Sequence, residues 1–121
     1  MVKNLILDKE ENTLKWTSDE NQISFFVEDL DSAMLDEKRG MIFALSRTAP
    51  LPTLLTILND DGALLATLSP PDGAYFYYLT RDDTKEVLVI CSFSEKKSGW
   101  YDWHYSFEQS DGSLVRKAPS Y

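Results

Sequence analysis

Turn-forming residues interrupt this chain so often that the apolar runs between them are strand-sized, and this punctuation restricts the fold more than any other feature. The clearest case lies between residues 53 and 68. Leu54, Leu55, Thr56, Ile57 and Leu58 lead into Asn59, Asp60, Asp61 and Gly62, and Ala63, Leu64, Leu65, Ala66, Thr67 and Leu68 follow. Asp-Gly between two apolar runs predicts a hairpin, because these residues tolerate positive φ. Both strands read as apolar on both faces. Such strands belong in the middle of a sheet covered on two sides, or at an oligomer interface.

The same grammar extends in both directions. Residues 5–7 and 14–16 flank a polar segment at 9–12, and Ile23, Phe25 and Val27 then repeat with period two. A run at 41–45 is broken by Pro50 and Pro52, which cannot donate to a sheet ladder. After Pro70, Pro71, Asp72 and Gly73, further strands are predicted at 75–79, 86–93, 100–108 and 113–118, with turns at 81–85, 94–99 and 109–112. In the strand at 100–108, aromatic Tyr101, Trp103, Tyr105 and Phe107 alternate with Asp102, His104, Ser106 and Glu108. One place lets a helix compete. Asp31 or Ser32 could cap a short helix near 31–39 through Ala33, Met34, Leu35, Glu37 and Lys38, with Gly40 stopping it. The expected fold is mainly β, with antiparallel sheets forming a sandwich or a strongly curled sheet and room for that one helix. All 121 residues read as a single domain. An internal echo joins Asp61, Gly62, Ala63, Leu64, Leu65 to Asp111, Gly112, Ser113, Leu114, Val115.

Little in the sequence provides catalytic chemistry. His104 and Cys91 are the only histidine and cysteine, so neither a structural zinc site nor an intrachain disulfide can be assembled. Cys91 sits in an apolar run as an inert buried thiol. The acid pairs Asp60, Asp61 and Asp82, Asp83 occur in turns without calcium-loop spacing, and the five glycines form no phosphate-binding loop. No cofactor or metal is expected. Asp102, His104 and Ser106 share one strand face and are the closest approach to a catalytic set. Same-face neighbours lie roughly 6–7 Å apart at the backbone, however, which is long for a nucleophile and its base. A non-enzyme is therefore expected.

The charge carries more information. Twenty acids against twelve bases give a net charge of −8, which disfavours nucleic acid and anionic membranes and favours a basic partner. Residues 1–61 hold a net −6 and residues 62–121 a net −2. Between Asp19 and Glu37 there are seven acids and no Lys or Arg, surrounding Phe25 and Phe26 and including Met34 and Leu35. Apolar anchors with an acidic rim suit a basic protein surface, because burial supplies affinity and charge orients encounter. Glu20, Phe26, Glu28, Asp29, Asp31, Asp36 and Glu37 are the candidate partner-binding residues. Excess carboxylates also serve solubility, which is the competing explanation for any one of them.

The apolar stretch at 5–7 is shorter than a signal peptide requires, and no run reaches the length of a spanning helix, so a cytoplasmic location is expected. Small size, acidity, β structure and missing catalytic equipment together resemble the immunity proteins that neutralise basic nuclease-type toxins, in class rather than through an alignable motif. The resemblance implies stoichiometric occlusion of a toxin active site, with carboxylates imitating substrate phosphates. Two other functions fit the sequence. One is a structural or accessory subunit of a homo- or hetero-oligomer, built through the apolar hairpin at 53–68. The other is a small-ligand-binding β-barrel whose cavity is lined by Tyr75, Tyr77, Trp103 and Tyr105.

Overall fold

A computed structural model describes residues 1–120, and among them the chain forms strands joined by turns, with no helix. Three antiparallel meanders follow one another. The first joins β1 (Val2–Asp8), β2 (Thr13–Ser18) and β3 (Asn21–Phe26). The second joins β4 (Leu30–Asp36), β5 (Met41–Thr48), β6 (Pro52–Asn59) and β7 (Leu64–Leu68). The third joins β8 (Ala74–Arg81), β9 (Val87–Lys97), β10 (Trp100–Glu108) and β11 (Ser113–Pro119). Each sheet keeps its strands in sequence order, so every connection within a sheet is a hairpin, and β3–β4 and β7–β8 step between sheets.

Strand alternation stacks these sheets into three layers. Along β5, Met41, Phe43 and Leu45 point one way and Ile42 and Ala44 the other, and all five are buried. Met41, Phe43 and Leu45 join Leu55 and Ile57 of β6 in a core shared with the third sheet, where Phe76, Val89, Trp103, Tyr105 and Phe107 meet them. Ile42, Ala44 and Leu58 join Leu14, Trp16 and Val2 in a second core shared with the first sheet. The second sheet is therefore the middle layer. The expectation of two-sided burial holds for β6 but not for its partner, because β7 is an edge strand with Leu64 and Leu65 exposed.

The segment near 31–39 is strand β4 followed by a turn, not the short helix that its composition allowed. Pairing with β5 overrides helix propensity here: Ala33 and Leu35 face one core while Met34, between them, faces the other. Gly40 has φ +67° and donates its amide to the Asp36 carbonyl at 2.9 Å, closing the β4–β5 turn. The break expected at 94–99 is also smaller than its polar composition suggested. β9 runs on to Lys97, and only Ser98 and Gly99, both with positive φ, make the reversal.

Candidate functional site

The acidic tract does not form one surface, because the strands within it separate its members. Glu20 lies exposed in the two-residue β2–β3 turn, where both Asp19 and Glu20 have positive φ. Phe26 ends β3 at its other end, Glu28 and Asp29 follow it in the link to β4, and Asp31 lies just inside β4, half-buried. Asp36 ends β4 and Glu37 follows it, roughly 20 Å from Glu28 at the rise of an extended strand.

Asp36 must be removed from the binding set. It is fully buried, its Oδ2 accepts from Arg39 Nη2 at 2.8 Å and from the Val87 amide at 3.0 Å, and its Oδ1 accepts from the Arg39 amide at 2.9 Å. Arg39 Nη1 in turn donates to the Phe107 carbonyl at 2.7 Å. This carboxylate fastens the β4–β5 turn to the third sheet. Glu37 stays at the surface but meets Lys85 at 3.6 Å. Although the stretch carries no base of its own, folding brings Arg39, Arg47 and Lys85 to it.

What remains together is a cluster at the end of β3. The Phe26 side chain is 64% exposed, on the solvent face of the first sheet and directly opposite Thr13. Glu28 forms an exposed ion pair with Arg47 at 3.4 Å, and the Asp29 carbonyl accepts from the Arg47 amide at 3.1 Å. Beneath them a groove of about 190 Å³ runs between β3 and the middle sheet, lined by Phe25, Phe26, Glu28, Leu54, Leu64 and Thr67 among others. Ser46 also lines it. That residue is fully buried, and its hydroxyl has no hydrogen-bond partner among the described residues. Phe26 and Glu28 thus acquire neighbours that sequence reading missed: Leu54, Leu64, Thr67 and Ser46. The Asp-Gly turn placed Leu64 in a strand, but nothing local to the sequence marks that strand as an edge.

A larger hollow of about 840 Å³ lies on the first sheet around Asn4, Lys15, Thr17, Gln22 and Ser24. Its one charged group, Lys15, reaches Asp8 at 3.7 Å, and none of the seven acids between Asp19 and Glu37 lines it. It is the weaker candidate for a basic partner.

Asp102, His104 and Ser106 do share the outer face of the third sheet, as alternation requires. Among the described residues no hydrogen bond or ion pair joins them. His104 Nδ1 lies 3.2 Å from the Ala118 carbonyl. Ser106 is buried, at 5% exposure. The four aromatics proposed to line a ligand cavity divide between two environments: Tyr75 and Tyr77 are exposed, whereas Trp103 and Tyr105 fill the core between the second and third sheets. Trp103 stacks under Arg116, whose guanidinium carbon is 4.4 Å from the ring centroid. Among the described residues no three potential metal ligands cluster, and no helix is long and apolar enough to cross a membrane.

No family model, curated protein or solved structure matches this chain.

Proposed function

We propose that this chain is a protein-binding module for a basic partner, and most specifically an immunity-type inhibitor that occludes the active site of a basic toxin or nuclease. The observation that carries the reading is the exposed Phe26 beside Leu64 in a groove rimmed by Glu28, with Asp29 and Asp31 next in sequence. An exposed phenylalanine held on a sheet loses little side-chain freedom on binding and offers a large apolar area to bury. The Glu28–Arg47 pair is solvent-exposed and therefore weak, so a partner's Lys or Arg can take its place. Carboxylates at this rim then occupy the position of substrate phosphates on the partner, while the net charge of −8 speeds encounter.

The test is to capture a basic protein from the source cell extract and titrate it at low and moderate salt. Phe26→Ala should weaken binding by about 2 kcal/mol, close to thirtyfold. Neutralising Glu28, Asp29 and Asp31 together, to Gln, Asn and Asn, should slow association and flatten its salt dependence. Unchanged association in the neutralised variant would remove this surface from consideration.

A further inference from the structure

The first sheet is one strand narrower than the sheet it covers. Three strands lie on four, with β1 against β4 on one side and β3 bordering the groove over β6 and β7 on the other. The β7 face turned toward the first layer is consequently open. Leu64, opposite Leu58 of the second core, is 55% exposed, and Thr67, opposite Thr56, is exposed as well.

The β3 edge bordering this opening pairs with no strand among the described residues. The Val27 amide donates to the Asn12 carbonyl at 2.8 Å, which fixes the phase of the β2–β3 ladder. Alternation then turns the amides of Phe25 and Ile23 toward β2 and those of Phe26, Ser24 and Gln22 away from it. The last three residues are exposed. Neighbouring strands lie about 4.8 Å apart, so a strand added to β3 steps from above β6 to above β7.

From this we infer that the partner binds by strand addition: an extended segment pairs with the free edge of β3 as a fourth strand and completes the first layer over β7. The inference rests on the protein-binding reading above and specifies its mode. Alternate side chains of the segment point inward onto Leu64 and Thr67, which calls for Val- or Leu-sized groups. The outward side chains are basic, because Glu20 and Glu28 stand at the two ends of β3. Main-chain hydrogen bonds supply affinity in such a complex and the alternating side chains supply specificity.

The experiment uses a synthetic peptide of about ten residues alternating lysine and valine, long enough to span an ordinary strand. Amide exchange is followed by NMR on the whole chain. The inference expects protection of the Gln22, Ser24 and Phe26 amides by about tenfold or more on binding. Ser24→Pro removes an outward amide that bonds nothing within β2–β3, and Leu64→Lys places a like charge in the open face. Each should weaken the peptide at least about tenfold, since a proline on an edge strand is tolerated by the fold yet blocks pairing. Absence of binding, or binding without protection of those three amides, overturns strand addition. So does concentration-dependent protection of the same amides without peptide, which makes the occupant a second copy of this chain. If a captured basic partner binds Ser24→Pro as tightly as the wild type, the mode is wrong and the protein-binding reading survives. Indifference of that partner to the neutralised acids removes this surface, and the strand-addition mode with it.

Discussion

Asp36 and Glu28 belong to the same acidic stretch, yet one fastens two sheets and the other faces solvent beside an exposed arginine. Their sequence contexts are alike. What separates them is the phase of β4, which ends with Asp36 turned toward Arg39 of the turn it opens and toward Val87 at the start of β9. Asp36→Ala leaves the partly buried Arg39 with only the more distant Glu86 carboxylate, at 3.6 Å, and the Val87 amide without this acceptor. It should cost roughly 3 kcal/mol or more in urea unfolding, while a Glu28→Ala change should stay within about 0.5 kcal/mol. Cys91, by contrast, was fully legible: its apolar neighbours predicted burial, and it is buried. Burial pushes its thiol up to about 12. A thiol raised this way favours the folded state below its unfolded pKa of about 8.5, and that contribution is lost as pH climbs toward the native value. Stability measured from pH 8 upward should therefore fall less steeply in Cys91→Ala than in the wild type.

At the scale of elements, hairpins were the most readable part, because turn chemistry and strand alternation are local. The strand at 100–108 has the aromatic and polar faces its sequence describes. The short helix was a reasonable reading of Ala33, Met34 and Leu35, but pairing with β5 is not encoded within those residues. The position of β7 was equally hidden: its apolar pattern matches β6, and only the arrangement of layers leaves Leu64 uncovered. One turn is fixed by contact as well as by backbone. Gly62 has φ +91°, and a Cβ there would stand 3.0 Å from Ile23 Cγ2, while the nearby Trp16 Nε1 donates to the Asp60 carbonyl at 2.8 Å. Gly62→Ala combines left-handed strain with crowding against β3 and should destabilise by more than about 1 kcal/mol in chemical denaturation. Gly73→Ala, where a Cβ meets open space, carries the strain alone and should cost less.

Across the whole molecule, the middle sheet belongs to two cores at once. Ile57 and Leu58 are consecutive residues of β6, both fully buried, and they serve opposite layers. Ile57→Ala and Leu58→Ala should each lose about 3 kcal/mol while unfolding remains a single transition. Two separable transitions would mean that the outer layers fold independently. The echo between 61–65 and 111–115 gains a place in this architecture: the two copies lead into β7 and β11, the last strands of the two four-stranded meanders. The first meander has three strands, and its missing neighbour would lie where Phe26, Leu64 and the acidic rim converge. The most direct test is therefore an amide-exchange footprint of the chain in complex with a captured basic partner. Protection concentrated at Gln22, Ser24, Phe26, Glu28 and Leu64 is predicted; protection confined to the exposed tyrosine face of the third sheet, with β3 exchanging as in the free protein, would contradict the account.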